Sequence, residues 1–276
     1  MPAHKIKTDW LKTLCRRGWF LALGPLVLLL FLPAGPVAAQ DRLTPAQREI
    51  ERQRQRLGSS EVEERRDALV RLANLKRPEA SRAAATALND ATPMVRATAA
   101  HALLSLPSSE AASLLMPLLK DKSEFVRREA ASVLGQTRDR SAVKALSEAL
   151  LKDKKSSVRG AAAIALGEIG DGAALSALLQ TLTGGKKNRS SEDEFVQRAT
   201  ARSLGQIRSR AAVPVLIATL ENSANAADTR REAATALGLI GDPSAMPALQ
   251  AAFAAGEDPY LAEAARAAMH TIKSKN

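Results

Sequence analysis

Cysteine is nearly absent from this chain of 276 residues: the only one is Cys15. Tryptophan occurs twice, at Trp10 and Trp19, tyrosine once, at Tyr260, and histidine three times. A single cysteine excludes an internal disulfide framework. Scarce aromatics leave no stacking platform for single-stranded nucleic acid or a flipped base. No group of His, Cys, Asp and Glu has metal-ligand spacing. There is no Gly-x-Ser-x-Gly turn, and Gly184-Gly185-Lys186 lacks the preceding strand and the spacing of a phosphate-binding loop. His101 and His270 fall on helical stretches far apart in the chain. These absences predict a non-enzymatic protein with no metal and no cofactor.

Long apolar runs are missing too, with one exception at the amino terminus. Lys5, Lys7, Lys12, Arg16 and Arg17 stand against a single acid, Asp9, and GWFLALGPLVLLLFLPAG and PVAAQD follow. A basic segment, an apolar segment and small residues at a cleavage point describe a secretory signal peptide over residues 1–39. Val37 and Ala39 are the small pair, which places the cut after Ala39. The alternative is an uncleaved anchor. Against it, the apolar core falls short of the roughly 20 residues of a membrane span, and Gly24-Pro25 and Pro33 interrupt it. CRRGWFL (15–21) has the paired arginines of a twin-arginine signal, but the very apolar LVLLLFL suits the general secretory route better. The expectation is an exported protein, periplasmic or secreted. Cleavage removes Cys15 and both tryptophans, and leaves 35 Lys and Arg against 28 Asp and Glu, a net charge of +7 in place of +11. The remaining core must be built from Ala, Leu, Val and Ile.

What the chain has in abundance is a repeat. Residues 166–171 read LGEIGD and residues 237–242 read LGLIGD. The leucine of this motif recurs at Leu69, Leu103, Leu134, Leu166, Leu204 and Leu237 and ends at Met269, in steps of 34, 31, 32, 38, 33 and 32. Each unit reads as two helices. Val158, Ala161, Ala162, Ala165, Leu166 and Ile169 recur at three and four, an amphipathic stripe. Gly170-Asp171 breaks it, because glycine tolerates the left-handed turn. Leu175, Leu178, Leu179 and Leu182 form the second stripe. Thr44-Pro45 and Thr92-Pro93 read as N-caps with proline at the first helical position, and Pro117 should kink or end its helix. The many alanines let stacked units approach closely, since one unit cannot bury its own apolar face. The pattern predicts an all-α superhelical solenoid over 60–276, of about six helix pairs plus a terminal helix. Residues 40–59 before it form a polar capping helix or a charged tail.

VRGAAAIALGEIGD (158–171), followed elsewhere by AVPVLIATL (212–220), resembles HEAT repeats, of the short form named after phycobilisome lyases. The resemblance covers about residues 60–272. It implies a ladder of Asp and Arg between neighbouring units, matched by Asp90 and Arg96, Asp121 and Arg127, Asp153 and Arg159, and Glu192 and Arg198, with Arg230 next in the row. Each arginine would be neutralised by a bidentate carboxylate and cap the preceding turn, which leaves little for nucleic acid phosphates. No His-Glu pair matches the iron-binding HEAT hydroxylases. The signal peptide argues against a lyase role in the cytoplasm.

The resemblance implies a scaffold that binds a protein or peptide on an extended inner surface made of the second helices. Lys144, Glu148, Ser176 and Gln180 would face the partner, with Pro214 and Pro247 at the slot of Lys144. The long step to Leu204 holds a basic insertion at 183–194, where Lys186, Lys187 and Arg189 could dock an acidic partner. A solvated loop is the plainer reading of that composition. The alternative function is a basic solenoid holding an anionic polymer or membrane surface by electrostatics, with an affinity that falls steeply with salt.

Overall fold

A helix of alanine and leucine at three-and-four spacing recurs along this chain, and at Gly170-Asp171 and Gly241-Asp242 it is stopped by glycine and restarted by an aspartate. The structure is a computed structural model that describes residues 43–184, 191–256 and 258–275. The proposed signal peptide and the loop residues Lys186, Lys187 and Arg189 lie outside the described residues. The chain divides after Arg48, and the unit from Glu49 onward carries the repeats.

Among the described residues there are fourteen α-helices and no strand. α1 is Pro45–Arg56; then come six pairs: α2 Val62–Asn74 with α3 Pro78–Ala85, α4 Pro93–His101 with α5 Ser108–Leu115, α6 Glu124–Thr137 with α7 Val143–Lys152, α8 Ser156–Ile169 with α9 Leu175–Thr183, α10 Ser191–Ile207 with α11 Val213–Glu221, and α12 Ala227–Ile240 with α13 Met246–Ala255. The terminal helix is α14, Pro259–Lys275. The chain is an all-α solenoid.

The corner of each pair follows from its residues. α8 ends where Gly170 turns left-handed at φ 70°, and its N–H closes on Leu166 O. Asp171 then accepts from the backbone N–H of Ala173 and starts a 3-10 turn that runs into α9. Asp139 and Asp242 do the same for Ser141 and Ser244. In two other repeats Arg138 and Arg208 hold the left-handed position, at φ 54° and 58°.

The proline-led starts differ from one another. Thr44 Oγ1 accepts from Gln47 N at 3.3 Å while Thr44 N donates to Gln47 Oε1, a reciprocal cap on α1. Thr92 makes no such bond to α4; its hydroxyl accepts instead from Arg65. α5 ends at Leu115, two residues before Pro117, and continues as a 3-10 turn over Met116–Lys120. The missing N–H of proline removes an α-helical bond there.

Successive first helices lie directly against one another: α6 on α8, α8 on α10, α10 on α12, α12 on α14. Side chains small enough to vanish make this possible. A Cβ on Gly205 would stand 2.8 Å from Ala236 Cα, and one on Gly238 2.7 Å from Ala268 Cα. The core between the layers is leucine and alanine, with Leu72, Leu103, Leu134, Leu166, Leu204 and Leu237 fully enclosed. The first of these corrects the repeat ruler. Arg65 and Arg96, seven residues before Leu72 and Leu103, make the same bonds to the following repeat. The equivalent leucine of the first unit is therefore Leu72, not Leu69.

Candidate partner-binding face

Arginines and aspartates stitch the repeats together where each second helix hands over to the next first helix. Arg96 Nε and Nη2 donate to Asp121 Oδ2 and Oδ1 at 2.8 and 2.7 Å. Its Nη1 turns back to the carbonyl of Asp90 at 2.7 Å. Arg65 with Asp90 and Arg127 with Asp153 repeat the arrangement. Each acid also accepts from a backbone N–H two residues on: Thr92 N to Asp90, Ser123 N to Asp121, Lys155 N to Asp153. Burial alone would raise these carboxyls. The facing guanidinium and the N–H outweigh it and hold all three below the usual aspartate range.

Beyond the insertion the row changes. Arg159 takes Asp193, at 2.9 Å, and not the Asp153 that the sequence matches with it; Glu192, matched there with Arg198, has its side chain outside the described residues. Arg230 is not the next rung. Its Nε donates to Leu220 O at 2.9 Å, while Arg231 is bidentate on Asp258. The rung has moved one residue along the helix. Arg198, which reaches Asp228 at 3.1 Å, sits two residues after Val196, and Arg231 sits two after Thr229. In the earlier repeats the arginine follows Val95, Val126 or Val158 directly. The shifted arginines also cover rings, Arg198 over Phe195 and Arg231 over Tyr260.

The ladder takes up the acids beside it. On the second-helix side, the turn Met116–Lys120 and α7 border a groove of about 780 Å³. Met116, Pro117, Leu119, Ala145 and Ala149 give it an apolar surface. Lys120, Lys144, Glu148 and Lys152 give it charge, and among the described residues none of the four has an ion pair within 4.0 Å. Asp153, at its end, belongs to Arg127.

Of the residues that the sequence assigns to a partner, Lys144 and Glu148 come together in this groove. Ser176 and Gln180 are exposed on α9, and Gln180 lines a different cavity of about 440 Å³ beside Arg159 and Asp193. Pro214 and Pro247 are exposed in the first turns of α11 and α13. Sequence reasoning missed Lys120, Lys152 and Met116. Lys152 was within reach, since it lies one four-residue step past Glu148 on the same helical face.

A second opening, of about 610 Å³, lies on the first helices. Here α8 breaks the pattern with Gly160, and the Phe195 ring fills the vacancy: a Cβ on Gly160 would fall 2.0 Å from it. Ala161 and Ile164 are its apolar lining. Its charges are already matched, Glu129 with Arg128 and His101, Glu124 with Lys155.

A family model for HEAT repeats matches residues 50–132, 114–189 and 185–270. The chain belongs to the HEAT-repeat family. Three solved structures similar to this HEAT chain illustrate the range of the fold. The complex of CpcE and CpcF of phycocyanin lyase from Nostoc sp. is 24% identical, with 88% of this chain and 98% of that chain covered and a TM-score of 0.49. Human deoxyhypusine hydroxylase in complex with glycerol is 23% identical, with 87% and 100% covered and a TM-score of 0.40. A designed armadillo repeat protein is 18% identical, with 81% and 99% covered and a TM-score of 0.38. No curated protein matches the chain in sequence. Among the described residues no cluster of His, Cys, Asp and Glu could hold a metal ion, and no helix is long and apolar enough to cross a membrane.

Proposed function

We propose that this HEAT protein is an exported, non-enzymatic scaffold that binds a protein partner across the face of its second helices. The observation that carries the reading is the groove between the Met116–Lys120 turn and α7. Among the described residues Lys120, Lys144, Glu148 and Lys152 have no ion pair within 4.0 Å, whereas the ladder arginines and the charges around Phe195 do. Charged groups left free beside apolar surface are suited to a second molecule. Stacked helical repeats supply such extended surfaces by construction. The signal-like amino terminus supports a partner in the envelope or outside the cell.

Capture with a tagged chain from the cell envelope, at low and at high salt, tests this. One specific protein retained at both salt concentrations supports the scaffold. Recovery of lipids or polyanions, lost at high salt, would replace it with electrostatic binding of an anionic polymer or surface. That second reading draws on the net positive charge and on the basic residues at 186–189. Deletion of residues 184–191 separately asks whether the basic insertion takes part; retained binding removes it from the interface.

A further inference from the structure

The charges of the groove are arranged, and the arrangement specifies an occupant. Lys144, Glu148 and Lys152 follow one another at four-residue steps on α7, and Lys120 faces them from the preceding repeat. Lys144 and Lys152 are eight residues apart, about 12 Å along the helix. Between them the groove is apolar, with Met116, Pro117 and Ala145. Asp121 and Asp153, next in sequence to Lys120 and Lys152, each give both oxygens to an arginine, Arg96 and Arg127. Three lysines against one glutamate leave the groove net positive.

We infer that this groove binds an amphipathic acidic segment of a partner protein, with carboxylates about two helical turns apart flanking apolar side chains. The carboxylates meet Lys144 and Lys152, Lys120 closes the opposite wall, and the apolar residues cover Met116 and Ala145. A helix laid between two helices is a familiar mode of recognition. Glu148 selects against a third acid at the midpoint, where like charges would face each other. A flat anionic bilayer would meet the lysines and leave the apolar strip uncovered. The inference rests on the scaffold reading and refines it.

The test is selection of a displayed random peptide library on the full chain, with three variants in parallel. Lys120→Glu/Lys144→Glu/Lys152→Glu reverses the rim, the corresponding triple Lys→Gln neutralises it, and far-UV circular dichroism reports the fold. Among the described residues none of these lysines has an ion pair within 4.0 Å, so both variants should fold; the glutamine variant carries the test if the glutamate one does not. The third variant, Arg210→Gln, removes a base elsewhere on the surface. Enriched peptides should carry paired acids around apolar residues. They should lose roughly a hundredfold in affinity on charge reversal and keep it with Arg210→Gln. Enrichment of neutral or basic peptides, or of acidic ones indifferent to the triple variants, overturns the acidic occupant and leaves the scaffold standing. No enrichment at all overturns both. Vesicles of phosphatidylglycerol form the last arm: lysine-dependent binding to them without peptide enrichment assigns the groove to a lipid surface instead.

Discussion

The guanidinium of Arg96 joins two successive junctions between repeats: it is bidentate on Asp121 at the junction ahead and holds the carbonyls of Asp90 and Ala91 in the turn behind. Its side chain is 14% exposed and that of Asp121 10%. Removing one partner of such a pair strands the other charge, which is the costly event. Arg96→Ala should therefore lower stability by roughly 2–4 kcal/mol. Arg96→Lys should recover little, because an ammonium cannot reach carboxylate and carbonyls at once. Arg266, which pairs with Glu263 one turn away and is well exposed, is the contrast: Arg266→Ala should leave the urea midpoint unchanged.

The same ladder sets the response to acid. Asp90, Asp121 and Asp153 have folded-state pKa values below the usual aspartate value, since the arginine and the backbone N–H outweigh burial. A depressed pKa means that the stabilisation is complete above the unfolded value and drains away as pH falls through the folded one. Stability should be flat from neutral pH down to about 5 and fall steadily below about 4. Arg96→Ala should fall less steeply over that range, having lost one contributor. Urea titrations at a series of pH values check both slopes; a parallel fall in the variant would remove Asp121 from the explanation.

Close approach makes a prediction that burial scales alone do not. Gly238 faces the Ala268 backbone at a distance no Cβ tolerates, whereas a Cβ on Gly172 would meet nothing within 4 Å. Helix propensity favours alanine at Gly238, inside α12. Gly238→Ala should nevertheless lose about 1–3 kcal/mol, because two backbones must separate. Gly172→Ala should be neutral or gain up to about 1 kcal/mol from a less flexible unfolded chain. Thermal unfolding of the two variants side by side decides it.

Local periodicity carried most of the architecture into the sequence. The stripe of Val158, Ala162, Ala165 and Leu166 has one helical reading, and Gly170-Asp171 ends it in one way. The pairing of helices followed because no single unit could cover its own leucines. What the sequence concealed were matters of register. Leu69 and Leu72 are both leucines on one helical face, and only the bonds of Arg65 show which is equivalent to Leu103. Arg230 and Arg231 are adjacent and chemically identical, and the choice between them depends on where Asp258 lies in three dimensions. At the groove, Lys144 and Glu148 were legible as exposed positions of a second helix. Lys120 and Met116 were not, because they come from the preceding repeat, on the 3-10 turn that ends its second helix.

The corner between paired helices offers a gain of stability. Gly170 and Gly241 take the left-handed position at φ 70° and 81°, and Arg138 and Arg208 take it at φ 54° and 58°. A side chain with a Cβ is strained there by about 1 kcal/mol or more, because Cβ crowds the following carbonyl. Arg208 has no ion pair within 4.0 Å among the described residues to offset that strain. Its backbone N–H bonds to Leu204 O and Gly205 O serve the corner whichever side chain is present. Arg208→Gly should thus stabilise the protein by up to about 1 kcal/mol, although glycine is normally a loss in helical proteins. Gly170→Ala should cost a similar amount in the opposite sense. Differential scanning calorimetry on the pair reads both signs. If Arg208→Gly lowered the melting temperature, the arginine would be contributing through its side chain and not merely tolerating its backbone.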